Sequence, residues 1–218
     1  MKLYCSSDPH SWIVRVCLME KKLAPDLEVI VTSSGETRRA AHLARNPFGQ
    51  LPVLETDGGF FISESTVICE YLEELCPDPP LIGQTRAERA ECRMWMRRID
   101  LNICVPIDHG FRLTRHGSLL FPPIEPAPDA AETMRDLART NLTWLDQQLR
   151  GRETVCPDRF TLADLVLLSF VEHGITTGQP LDPRWSGIER WLIRSRQRPS
   201  VREAIGALAE TSQLSGTV

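Results

Sequence analysis

The seven cysteines, Cys5, Cys17, Cys69, Cys76, Cys92, Cys104 and Cys156, contain no Cys-x-x-Cys pair and are odd in number. That scatter excludes a disulfide framework and a zinc cluster. It points to the reducing cytoplasm, with most of the thiols serving as small core residues. No apolar run of signal-peptide or membrane-spanning length occurs, and the N-terminal Met1-Lys2-Leu3-Tyr4-Cys5 turns polar at Ser6. Neither export nor a membrane partner is expected. There is no excess of positive charge: 25 lysines and arginines face 29 aspartates and glutamates, a net charge of -4. The molecule as a whole therefore offers no general attraction to nucleic acid. The pairs Arg38-Arg39 and Arg97-Arg98 are too short to change this and read as solvated surface. His42, His109, His116 and His173 lack metal-ligand spacing, so they read as surface or satisfied core residues and no metal is expected.

What is present is ordinary globular chemistry. Over 218 residues, 42% are hydrophobic and 25% charged, enough for one large domain or two small ones. Residues 2–5 read as a strand, and a largely buried helix is expected from Ser11 to about Lys22, on Ile13, Val14, Val16, Cys17 and Leu18. The β-branched run 27–32 predicts a second strand. A polar segment follows, then the turn signal Asn46-Pro47-Phe48-Gly49-Gln50. Residues 51–55 and 59–62 predict a hairpin around Thr56-Asp57-Gly58. Val67, Ile68, Tyr71, Leu72 and Leu75 place a helix over about 64–75. The order is βαβ followed by ββα. Cys76-Pro77-Asp78-Pro79-Pro80 then ends the unit, because proline stops helices and stiffens linkers. Beyond it the pattern is helical throughout: 85 to about 116, 130–149, 162 to about 173, 188–196 and 201–208. The chain thus divides into an α/β domain at 1–77, a linker at 78–85 and an all-α domain at 86–218. Trp95, Trp144, Trp185 and Trp191 read as core.

This two-part order resembles the cytosolic glutathione transferases over nearly the whole chain. Three stretches carry the resemblance. Asn46-Pro47-Phe48-Gly49-Gln50-Leu51-Pro52-Val53-Leu54 is similar to the family's segment around its cis-proline. Glu64-Ser65-Thr66-Val67-Ile68-Cys69-Glu70-Tyr71-Leu72 is similar to its γ-glutamyl-binding turn and helix. Phe160-Thr161-Leu162-Ala163-Asp164 is similar to the buried capping motif of its helical domain. The resemblance implies a thioredoxin-like N-terminal domain that holds glutathione and a helical domain that shapes a second-substrate pocket.

The chemistry at each stretch is consistent with that role. Proline has no N–H, so Pro52 interrupts ladder pairing, and in the family the exposed backbone of the residue at Leu51 pairs with the cysteinyl part of glutathione, as an added strand does. Glu64 and Ser65 stand where a strand passes into a helix. Helix N-termini offer free N–H groups and a partial positive charge, to which a carboxylate binds. The resemblance assigns them the γ-glutamyl end, and Gln50 the glycyl end. Thr161 and Asp164 form a structural capping box. The family lowers the thiol pKa with a donor at the start of its first helix. Here that stretch is Ser6-Ser7-Asp8-Pro9-His10-Ser11-Trp12, and Asp8 falls where the zeta and tau classes have serine and the omega class has cysteine. A carboxylate would repel a thiolate. Ser11 is preferred as the catalytic donor and His10 is the alternative, while a plain helix-capping role for Ser11 and a turn role for Asp8 stay open.

The expected function is conjugation of the glutathione thiolate to a small electrophilic, apolar or aromatic substrate, by a homodimer whose long-helix face (Met94, Ile99, Ile103) is either interior or interface. The pocket is expected to be closed by residues 102–112 and 120–128. Glutathione-dependent aryl-ether cleavage is a second reading, since Glu64 to Leu72 resembles the bacterial β-etherases. A partner-binding protein of the stringent starvation type is a third, since such proteins also carry an aspartate followed three residues later by a serine.

Overall fold

The computed structural model describes residues 1–31, 34–121 and 124–205. Strand β1 (Lys2–Cys5) leads through helix α1 (Pro9–Glu20) to β2 (Asp26–Val29), which pairs parallel with β1. A 3-10 turn (Glu36–Arg38) and the short α2 (Ala40–Leu43) cross to β3 (Val53–Glu55) and β4 (Phe61–Ser63). β3 pairs antiparallel with both β1 and β4, giving the sheet order β2-β1-β3-β4. Helix α3 (Ser65–Leu75) packs beside α1. This is the expected thioredoxin-like βαβ–ββα arrangement. Several boundaries differ: β2, β3 and β4 are shorter or shifted against the expected 27–32, 51–55 and 59–62, and α1 begins at Pro9 and not Ser11, because Asp8 accepts the Ser11 N–H and Pro9, which has no N–H to satisfy, takes the first helical position.

From Arg86 the described chain is helical: α4 (Arg86–Ile99), α5 (Val105–Arg112), α6 (Arg115–Leu120), α7 (Pro128–Leu149), α8 (Leu162–Thr176) and α9 (Ser186–Arg196), with residues 199–205 also helical. The single helix expected over 85–116 is interrupted. Asp100–Cys104 widens into a π-turn between α4 and α5. Pro106 has no N–H to give the Asn102 carbonyl, and Asn141 Nδ2 from α7 donates to that carbonyl instead at 2.7 Å. The expected helix over 201–208 and the loop over 120–128 lie partly outside the described residues.

The main apolar cluster runs from Leu3 to Ala204 and so joins the sheet layer to the helices, beside a smaller one of Tyr4, Ile30 and Val53. Ile99 and Ile103 are in it, whereas Met94 faces outward. Trp95, Trp185 and Trp191 are buried as expected, but Trp144 is 44% exposed. The linker is clasped by a buried ion pair between Lys21 at the end of α1 and Glu73 in α3. The Glu73 carboxylate also accepts the N–H groups of Leu81 (3.1 Å) and Ile82 (3.3 Å), and Lys21 Nζ donates to the Pro79 carbonyl at 2.6 Å. At the other end of α1, Ser169 of α8 donates to the Pro9 carbonyl at 2.6 Å. The first turn of α1 is thereby fixed against the helical region. Among the described residues no helix is long and apolar enough to cross a membrane.

Candidate active site

The start of α1 forms one wall of a cavity of about 290 Å³. Asp8 caps the helix: Oδ1 accepts the Ser11 N–H at 3.0 Å, and Oδ2 accepts the hydroxyls of Ser6 and Ser11. Ser11 Oγ in turn accepts the Ser6 N–H at 3.0 Å. Ser11 is therefore fully buried and its hydroxyl is engaged on both sides, and it does not line the cavity. Asp8 and His10 do. His10 packs edge-on to Phe170 at 5.0 Å, and its ring nitrogens have no hydrogen-bond partner among the described residues. Burial pushes the nearby Cys5 thiol up, so it is no nucleophile.

The second wall is the segment entering β3. The Leu51–Pro52 peptide is cis. Its approach is held by local hydrogen bonds: Asn46 Nδ2 donates to the Gln50 carbonyl at 3.0 Å, Asn46 Oδ1 accepts the Phe48 N–H at 3.1 Å, and buried His42 contacts the Gln50 carbonyl through Nε2 at 3.2 Å. Gly49 turns the chain at φ 64°, with its α-carbon pressed so close to Thr37 that a Cβ would lie 2.8 Å from the carbonyl oxygen. A side chain is excluded on both counts. Gln50, Leu51 and Pro52 all line the cavity, and so does Arg38, which donates to the Phe48 carbonyl at 3.3 Å.

The third wall is the N-terminus of α3. Glu64 holds φ 70°, ψ 113° and makes no side-chain cap. An unforced glutamate avoids that backbone. Ser65 is only 7% exposed, yet its hydroxyl has no partner among the described residues. Both face the cavity. A carboxylate acceptor, a hydroxyl donor and the free N–H groups of a helix start are together suited to an ammonium–carboxylate pair such as an amino-acid end.

The helical region closes the fourth side with Arg112, Leu119, Leu120, Phe121 and Ile124, largely where the pocket closure was expected. Behind them edge-on rings run from Phe170 through His173 and Phe111 to Phe121. His173 was expected to be surface or satisfied core. It is enclosed, burial pushes its imidazole below the ordinary value, and its Nε2 has no hydrogen bond while standing 4.0 Å from Asp108 Oδ1.

The structure thus brings together Gln50, Leu51, Pro52, Glu64, Ser65 and His10, and leaves Ser11 behind the wall. Sequence reasoning missed Arg38 and gave Arg112 no role beyond its place at the end of the expected closing segment. Arg38 was read as solvated, and one arginine on a short helix carries no local signal of a cavity; the Asp108–Arg112 spacing of one helical turn was the only available hint.

A thioredoxin-like sheet with a cis-proline edge and a helix N-terminus sharing one cavity under a helical cap defines a two-part fold class. Residues 9–75 match the family described as Glutathione S-transferase, N-terminal domain. The chain is 28% identical over 208 residues to Glutathione S-transferase 2 of Saccharomyces cerevisiae, covering 94% of this chain and 88% of that protein. It is 32% identical over 185 residues to the Stringent starvation protein A homolog of Coxiella burnetii, covering 84% of this chain and 80% of that protein. The crystal structure of Gtt2 from Saccharomyces cerevisiae superposes with a TM-score of 0.88 at 29% identity, covering 94% of this chain and all of the other. This chain belongs to the glutathione S-transferase superfamily.

Proposed function

We propose that the protein is a glutathione transferase that conjugates the glutathione thiolate to a small electrophile with an apolar or aromatic body, in a cytoplasmic, detoxifying role. The observation that carries this reading is one cavity that collects all five residues expected to hold glutathione, with the side chains of Glu64 and Ser65 left without hydrogen-bond partners among the described residues. In this reading Glu64 and Ser65 take the γ-glutamyl end, the Leu51 backbone takes the cysteinyl unit, and Gln50 with Arg38 takes the glycyl carboxylate. The sulfur then lies toward the start of α1. With Ser11 engaged by Asp8, His10 becomes the group that donates to the thiolate, supported by its place at the second position of a 12-residue helix.

The test is the thiolate absorbance of bound glutathione against pH, with conjugation to 1-chloro-2,4-dinitrobenzene as the activity. The wild type should hold the thiol pKa below its free value. His10→Ala should raise it, and Ser11→Ala should act chiefly on stability. If Ser11→Ala alone raises it, the serine is the donor. A partner-binding role is the second reading, favoured by the similarity to a stringent starvation protein homolog and by the Asp8 carboxylate at the helix start, which opposes a nearby thiolate. No retention on immobilised glutathione and no turnover would make it the better one. Aryl-ether cleavage would use the same glutathione site. We further propose a homodimer, supported by exposed Phe48, Phe60, Val67, Met94 and Leu101. A monomer at micromolar concentration in equilibrium sedimentation would refute it.

A further inference from the structure

The helical wall of the cavity carries a cation that none of the glutathione contacts above requires. Arg112 is the last residue of α5, and its Nε stands 2.6 Å from Asp108 Oδ2, with the two side chains only 15% and 13% exposed. The guanidinium lies 4.1 Å over the Phe121 ring. Phe121 follows α6, and α6 cannot drift. Gly117 runs so close to α5 that a Cβ there would lie 2.1 Å from the Phe111 carbonyl oxygen and 2.8 Å from the Arg112 α-carbon. Thr114 caps α6 through the Gly117 N–H and donates to the same Phe111 carbonyl. Arg112 is therefore held on two sides, by the ion pair with Asp108, in which the buried Nε makes no hydrogen bond, and by a ring on its face.

Its terminal Nη groups are left over. They hydrogen-bond no described residue, and Arg112 lines the cavity. On the helical side the cavity is otherwise lined by the apolar Leu119, Leu120, Phe121 and Ile124, while Asp8, His10 and Glu64 line the opposite side. The chemistry that matches the planar guanidinium fork is a planar anion, above all a carboxylate, which it can hold in a bidentate pair. Arg112 belongs to the helical region, opposite the sheet-side residues that the glutathione reading uses.

We infer that Arg112 selects an electrophile bearing a carboxylate on an apolar, planar skeleton, an inference that rests on the transferase reading of this cavity. The skeleton lies against Phe121, Leu119 and Ile124, and the carboxylate sits on the Arg112 fork. For a chloroarene the thiolate sulfur forms a bond to the ring carbon, the carbon–chlorine bond breaks, chloride leaves with the electron pair, and the thiol proton passes to solvent.

The test uses 4-chloro-3,5-dinitrobenzoate and its methyl ester, each rate normalised to the uncatalysed reaction with glutathione. The wild type should favour the acid, and Arg112→Gln should lower the acid-to-ester ratio of kcat/KM by about 10- to 100-fold, the scale of a lost hydrogen bond to a charged group. Arg112→Lys, which keeps the charge without the fork, should recover part of it. Because Arg112→Gln leaves Asp108 enclosed without its partner, the double variant Arg112→Gln/Asp108→Asn is measured alongside, with the melting temperature of each. An unchanged ratio in a folded variant overturns the inference. So does a shift in the pKa of bound glutathione, or a fall in glutathione affinity as large as the fall in the ratio, since Arg112 would then serve glutathione itself. If the wild type turns over neither compound, the transferase reading fails separately. Calorimetry with unreactive 3,5-dinitrobenzoate against its methyl ester still decides the inference: Arg112-dependent preference for the acid supports it, and equal binding overturns it.

Discussion

Glu64 joins backbone strain to binding, and a pair of substitutions separates them. Its φ of 70° and ψ of 113° place a non-glycine residue where the Cβ is crowded, at a cost of about 1–3 kcal/mol. No side-chain hydrogen bond to a described residue offsets that cost. Glu64→Gly removes the Cβ and recovers the strain, but frees the unfolded chain at a penalty of about 0.5–1 kcal/mol. The net expectation runs from near neutral to about 2 kcal/mol of added stability. Glu64→Ala keeps the Cβ and the strain and serves as the reference. Both variants lose the carboxylate proposed to hold the γ-glutamyl ammonium, worth about 1.5–3 kcal/mol, so the Kd for glutathione should rise by roughly 10- to 150-fold in each. Urea unfolding and titration calorimetry read the two quantities independently. If Glu64→Gly unfolds more easily than Glu64→Ala by over about 1 kcal/mol, the strain argument is wrong. If both bind glutathione as the wild type does, the carboxylate has no part in the site.

Three other outcomes are expected. Ser65→Ala should weaken glutathione binding by about 1–2 kcal/mol with the fold intact, and calorimetry showing wild-type affinity would remove Ser65 from the site. Lys21→Met leaves the Glu73 carboxylate buried with only the Leu81 and Ile82 N–H groups; the loss in urea unfolding should be about 3–5 kcal/mol, and under about 1 would mean that water reaches the pair. Asp164 is fully buried, and although Val155, Thr161 and Trp191 donate to it, burial pushes it up to about 6. The folded state then holds its proton above the unfolded pKa of about 3.9, so this group's contribution falls as pH rises from about 4 through 6, by roughly 3 kcal/mol in all. Urea midpoints of wild type and Asp164→Asn across that window should diverge in that sense, and a constant difference would refute it.

The residues whose roles were legible in the sequence are those whose signal is local. Asn46 to Leu54 carries the Asn46 hydrogen bonds and the left-handed Gly49, so the turn is written largely in neighbours, whereas the cis isomer at Leu51–Pro52 is not, and His42 and Thr37 help hold the segment. Glu64 and Ser65 lie between a hairpin signal and a helix period, and Thr161 and Asp164 sit at capping spacing. The fold class follows from the same short-range patterns, read in order. Other features were decided only by chain segments far apart in sequence. The π-turn at Asp100–Cys104 combines the missing Pro106 N–H with a side chain from α7, and Lys21 meets Glu73 across 52 residues. Whether His10 or Ser11 faces the cavity was beyond any motif. Adjacent helical residues point about 100° apart, and the choice fell when Asp8 capped α1 and drew the Ser11 hydroxyl inward while Ser169 of α8 held the same turn in place. Arg112 joined the site because α5, packed on α6, α7 and α8, brings it to the same cavity as the cis-proline segment and the start of α3, and no residue near it in sequence records what it faces.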